Sequence, residues 1–217
     1  MTRRGWLVWI LALALPMSVF ADGKVEAIGP LADASVSESV KKLLEQKGYR
    51  VTLGDGTVAA EIYLRANLPA GKTDTTGAVY TGLSHSVIVG VVTFPKQTQD
   101  FRGQMVKAGT YTMRYSQHPV DGNHLGISQI RDFLLLIPAG EDQNGETEYK
   151  FEELVKMSAK STGSNHPASL SLAMPEDRGA TPTVASNDHG HVVFYAKLKA
   201  ASGEMPVAFI VKGIAEQ

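Results

Sequence analysis

A period of two between apolar and polar positions dominates this chain. Val58, Ala60, Ile62 and Leu64 alternate with Ala59, Glu61, Tyr63 and Arg65. Successive strand residues point to opposite faces, so this stretch is predicted to bury one face and solvate the other. Tyr49 to Leu53 precedes it, and Gly54-Asp55-Gly56 between the two is a strong turn signal, which predicts a hairpin. Ser86 to Phe94 (SVIVGVVTF) is β-branched and nearly all apolar, the pattern of a central strand buried on both sides, and Pro95 ends it. A further strand from Ala108 places Tyr111, Met113 and Tyr115 on one face and Thr110, Thr112, Arg114 and Ser116 on the other. Arg131 to Ile137 and the shorter Ala168 to Met174 follow. His191 to Leu198 and Met205 to Lys212 predict a closing hairpin. Its first strand turns Val192, Phe194, Ala196 and Leu198 to the core and His191, Val193, Tyr195 and Lys197 away from it.

Helical periodicity arises twice. In Ser35 to Gln46, Val36, Val40, Leu43 and Leu44 share a face, Ser35 and Glu38 have the spacing of a capping box, and Gly48 is a natural stop. In Lys150 to Ala159, Phe151, Leu154, Val155 and Ala159 form the apolar stripe. Residues 138–149 and 175–190 read as long polar loops. About eight to nine strands thus follow one another without regular helices between them, which disfavours parallel crossover units. The prediction is a mainly β fold: an antiparallel two-sheet sandwich, jelly-roll-like, with one or two peripheral helices.

The first residues change the picture. Arg3 and Arg4 precede an apolar run from Gly5 to Pro16, and Ser18-Val19-Phe20-Ala21 offers a small residue at a cleavage point. This predicts a secretory signal peptide over residues 1–21, cut after Ala21, with residues 22–217 as one exported domain in the periplasm or medium. The run is shorter than the ~20 residues a membrane span needs, so no stable insertion is expected after cleavage. Removing Arg3 and Arg4 from 21 basic residues leaves 19 against 22 acidic ones, a net charge of −3 without a basic cluster. Nucleic acid is therefore not an expected partner. Trp6 and Trp9 both fall in the predicted signal, so a tryptophan-lined sugar face is not expected either. There is no cysteine, which excludes disulfides, thiol nucleophiles and thiolate metal sites.

Candidate chemistry rests on histidines beside turn residues. His189 and His191, at i and i+2 of an extended segment, share a face and could grip one metal ion, with Asp188 as ligand or orienting group. His118 and His124 flank a loop turning at Asp121-Gly122. With Asp121 and Asp132 it offers nitrogen and oxygen ligands suited to zinc, copper or manganese. His166, before Pro167, could join either group. The opposing reading of each is a turn whose Asp and Asn bond their own backbone. The expected function is binding of a small ligand or metal through a loop-end cluster of His118, Asp121, His124, His189 and His191, with Asp132, His166 and Asp188 behind them. The alternatives are a metal-dependent hydrolase or cupin-like oxidoreductase on the same residues, or a non-catalytic envelope interaction protein. No nucleophile elbow, phosphate loop or zinc-protease helix motif occurs. The sequence carries no signature of oligomeric state.

The run Ala108 to Tyr115, with Asp121 to Gly126 and Arg131 to Leu136, resembles an uncharacterised group of exported bacterial β-sandwich-like proteins of unknown function. The resemblance implies an exported β-rich domain and carries over no catalytic residue.

Overall fold

The computed structural model describes residues 23–71, 77–119 and 130–215. The predicted signal segment, Asp121 and His124 lie outside the described residues. The strands are β1 (Lys24–Ile28), β2 (Gly48–Thr52), β3 (Val58–Leu64), β4 (Ile88–Phe94), β5 (Thr98–Gln99), β6 (Met105–Val106), β7 (Gly109–Gln117), β8 (Asp132–Pro138), β9 (Ser169–Ser171), β10 (Thr183–Ser186), β11 (Val192–Ala200) and β12 (Gly203–Lys212). Two helices, α1 (Glu38–Lys41) and α2 (Phe151–Thr162), accompany them.

One antiparallel sheet has seven strands in the order β1-β2-β3-β4-β7-β8-β9, a second has three, β10-β11-β12, and β5-β6 is a small ribbon. Sequence neighbours are spatial neighbours within both larger sheets, so the connections are those of a meander. The Greek-key crossing of a jelly roll does not occur among the described residues. The sheets meet at an isolated bridge between Leu172 and Phe209. Between them lies one core, in which Ile62, Tyr111, Met113, Leu134 and Leu136 of the larger sheet face Phe194, Leu198, Val207 and Phe209 of the smaller. The period-two reading of β3, β7 and β11 chose Ile62, Tyr111, Met113, Phe194 and Leu198 among these inward residues. The outward faces are covered as well. Val36, Val40 and Leu44 pack on Tyr63, Ile88 and Val91. Leu154 of α2 packs on Phe133, Leu135 and Ile137, and Phe101 packs on Val193, Tyr195 and Ile210. Val193 and Tyr195, which the alternation turned away from the core, are therefore buried too.

The first predicted helix shrinks to one turn. The Ser35 N–H is taken by the Asp33 carboxylate at 2.8 Å, so the cap falls to Ser37, whose hydroxyl accepts the Val40 N–H. Beyond Lys41 the sheet outcompetes the helix. Glu45 N–H donates to the Leu64 carbonyl, and the Leu43 carbonyl accepts from Ala66. Residues 43–45 thus pair with the end of β3 beyond its pairing with β2; Leu44 is buried as expected, while Leu43 is half-buried.

In α2 the sides of the stripe exchange roles. Leu154, Ser158 and Ser161 face the sheet, while Phe151, Val155 and Ala159 lie half-buried on the flank. The pairing of β9 with β8 stops at Leu135, so the carbonyl of Leu136 needs another donor. The hydroxyls of Ser158 and Ser161 reach it at 2.8 and 2.7 Å. The 175–190 segment also departs from the reading as a loop, because Thr183–Ser186 pairs with β11 as β10.

Beneath residues 139–149, fully buried Arg114 of β7 meets fully buried Asp142. Its Nε and Nη2 donate to the two carboxylate oxygens at 2.7 and 2.8 Å. Nη1 donates to the carbonyls of Ser86 and Thr147, Nη2 also to that of Asn144, and the Thr112 hydroxyl donates to Asp142 at 2.6 Å. The Tyr149 ring stacks over the guanidinium, 4.8 Å from its centroid. Breaking one side of such a pair leaves an uncompensated buried charge. Asp142→Ala is expected to cost about 3–5 kcal/mol in urea denaturation, whereas Thr112→Val, which removes one neutral donor, should cost about 1 kcal/mol. Equal, small losses from both would show that the pair does not hold this face.

Candidate functional site

Strand register separates the two ends of the sandwich. β7 starts at Gly109 beside Phe94 and ends at Gln117 beside Asp132. The turn between β2 and β3, the exit of β4, the β10-β11 turn and the exit of β12 therefore share one end. His118 and the segment leading to Asp132 lie at the other. The sequence reading gathered His118, His189 and His191 into one cluster; the structure places His118 at the opposite end from the pair.

At the first end a cleft of about 990 Å³ opens between the β2-β3 turn, the segment entering β5, the β10-β11 turn and the residues after β12. Leu53, Val58, Val192 and Val211 supply apolar walls, with Met105 and Ile214 exposed beside them. Lys96, Lys212, Asp55 and His189 supply charge and polarity. The Thr57 N–H and hydroxyl, with the Lys212 ammonium nearby, hold the Asp55 carboxyl below its ordinary range.

The β10-β11 turn is built on Asn187. Its side-chain oxygen accepts the backbone N–H groups of His189 and His191 at 3.1 and 3.0 Å, and its own N–H donates to the His191 carbonyl. Gly190 takes a positive φ of 73° at the tightest point, where a side chain would strain the backbone. Asp188 is exposed at the tip. The two rings do lie on one face, stacked with centroids 5.8 Å apart, but the tight turn at Gly190 brings them together and not the extended segment that the spacing assumed. Their environments differ. His191 is buried, edge-on to Phe101, and a Cβ on Gly213 would collide with its ring. With Asn187 Oδ1 committed to backbone donors, its Nδ2 faces His191 Nδ1 at 3.4 Å, so Nδ1 is the acceptor. Nε2 then carries the proton and donates to the Ile214 carbonyl at 3.1 Å. Both nitrogens of His191 serve the protein, and metal binding would have to break those contacts. His189 is exposed on the cleft. Among the described residues no group of three or more His, Asp or Glu side chains converges as a metal site.

The other candidates resolve individually. His118 stacks on Phe133 with centroids 4.2 Å apart, and its carbonyl accepts from the Arg131 guanidinium. Asp132 is fully buried and accepts from the N–H groups of Val79 and Tyr80 and from the Tyr115 hydroxyl at 2.6 Å, a structural role. Burial first, and Asp132 second, push the Tyr115 hydroxyl far above its ordinary pKa. His166 is exposed in the turn after α2, where its carbonyl accepts from Thr162 and Ser164. The cleft residues absent from the sequence reading, Lys96, Met105, Lys212 and Ile214, come from three separate segments, the last two residues sharing the exit of β12. No local spacing links them; a turn-rich position near a strand end is the signal they share.

His85, which the sequence left without a role, does respond to its surroundings. The residue has a solvent-facing side, yet its ring is half sunk beside Ser116, Phe151 and the Tyr149 backbone. Burial pushes its pKa below the ordinary 6.5. The folded protein therefore binds fewer protons here than the unfolded chain. The contribution to stability is complete above pH 6.5 and is lost as pH falls from there through the depressed folded value. Thermal melts across that window should show His85→Gln losing less stability on acidification than the parent protein; identical slopes would contradict the assignment.

No family model, curated protein or solved structure matches the chain.

Proposed function

We propose that this chain is an exported, non-catalytic β-sandwich protein that holds a small ligand in the cleft at the β10-β11 end. The observation that carries the reading is the cleft of about 990 Å³, in which apolar walls stand beside a few charged groups. Ligand sites have this composition, and their volumes run to about 1,000 Å³. His189 is the sequence-named candidate exposed on that cleft, and His191 supports the turn that presents it. A metal-assisted enzyme would need further ligands and an open coordination position. Among the described residues no set of three such ligands converges. Export rests on the Arg3-Arg4 pair, the apolar run and Ala21, and no helix among the described residues is long and apolar enough to cross a membrane.

Expression with its own first residues should deliver protein beginning at Asp22 outside the cytoplasm; retention of the uncut chain in the cytoplasm would defeat the export reading. For the cleft, a panel of small molecules is to be screened by amide and methyl chemical shifts. Binders are expected to move the signals of His189, Met105 and Ile214. Ser186→Trp, which projects an indole into the cleft from an exposed strand end, should abolish those shifts without lowering the melting temperature. Binders that map to the His118 end, or shifts that survive in Ser186→Trp, would sink the reading.

A further inference from the structure

We propose that the occupant of this cleft is a single-chain anionic amphiphile, with its acidic head drawn to Lys96 and Lys212 and its alkyl body laid along Met105, Val211 and Ile214. The inference rests on the cleft reading above and adds the ligand's chemical class.

Three features converge on it. The first is misplaced apolar surface. Among the described residues the exposed large hydrophobics are Met105 at 46%, Met174 at 50% and Ile214 at 44%, and two of these three stand at the one cleft. An alkyl chain laid there releases the water that both side chains order, and a methionine adapts its shape to such a chain.

The second is the kind of apolar surface. None of the residues lining the cleft is Phe, Tyr or Trp, and its one exposed ring is the small His189 imidazole. Sugars and nucleobases are gripped by stacking on aromatic faces. Walls of Leu, Val, Ile and Met instead fit flexible methylene chains, each buried CH₂ contributing about 0.8 kcal/mol.

The third is charge. The whole chain has a formal net charge of −1, yet the cleft carries two lysines against one carboxylate. That carboxylate, Asp55, is already engaged by the Thr57 N–H at 2.8 Å and shares the field of Lys212. Lys96 and Lys212 are exposed and stand on different walls, so an acidic head at the mouth can reach an ammonium while the chain lies on the apolar side. Lysine suits this task because it acts as a point charge on a flexible stem and places no demand on the shape of the head.

The experiment uses the full exported protein with isotope-labelled Met and Ile methyl groups. It is titrated with dodecanoate below its micelle concentration, and in parallel with the uncharged dodecyl maltoside and the cationic dodecyltrimethylammonium. Dodecanoate is expected to shift the Met105 and Ile214 methyl signals and to bind tightest of the three. Lys96→Gln and Lys212→Gln, both exposed positions, should each weaken dodecanoate by about tenfold and leave dodecyl maltoside unchanged. Equal affinity for the neutral or cationic amphiphile, or no effect of either lysine change, would overturn the anionic head and leave the cleft reading standing. Absence of cleft shifts with all three amphiphiles, while other small molecules still bind there, would overturn the amphiphile class itself. Absence of any cleft binder would remove the underlying reading as well.

Discussion

Arg114 is charged and has no exposed surface, so its surroundings must be arranged for it. Guanidinium N–H groups left without acceptors would cost more than the residue contributes. The chain meets this demand with Asp142 and with carbonyls from residues 86, 144 and 147. Two separate segments, that of Ser86 and that of residues 142–147, thereby acquire fixed positions over the outer face of the larger sheet. Tyr149 lies against the guanidinium and leads directly into α2 at Phe151. The placement of α2 over β8, and of the serines that satisfy Leu136, follows from that anchor. Ser37 in turn donates to the Gln143 carbonyl at 2.7 Å, so the N-terminal layer is fastened to the same segment. A charge on a strand, which by pattern reads as solvated, is instead what fastens the outer layer.

The strands were legible in the sequence because their inward faces keep a strict period of two. The β2-β3 hairpin, the doubly buried β4 and the closing β11-β12 hairpin lie where alternation and turn residues put them. What failed was the fate of outward faces. Val193 and Tyr195 alternate correctly, yet Phe101 from a distant segment covers them. Such coverage depends on a contact across most of the chain, which no local window contains. The length of α1 failed for a related reason. Helical spacing is real from Val36 to Leu44, but the end of β3 beyond its pairing with β2 supplied better partners for residues 43–45. β10 was missed because four residues between Pro182 and Asn187 are too few to show a period.

The candidate site divided in a physically instructive way. Spacing predicted that His189 and His191 would share a face, and they do. Spacing is silent about what each nitrogen meets. One ring is a buried strut between Phe101 and Gly213, while the other faces an open cleft. Sequence proximity to turn residues marked loop ends without saying which end, and the strand register alone separates His118 from the pair. The lysines and exposed apolar residues of the cleft became visible once four strand ends met.

Tyr80 joins the two sheets. Its hydroxyl donates to the Ala173 carbonyl at 2.6 Å and accepts the N–H of Ala208, 128 positions further along the chain. Asp132 fixes the Tyr80 backbone from the floor of the larger sheet. This clasp cannot shut until β12 is in place, and β12 is the last strand. Until then the inner face of the seven-stranded sheet lacks Val207 and Phe209 of its opposing layer, however complete its own hydrogen bonding. Contacts of such wide separation make folding slow, because loop closure must precede their reward. Closure of the sandwich is thereby coupled to a contact that spans the chain from Tyr80 to Ala208.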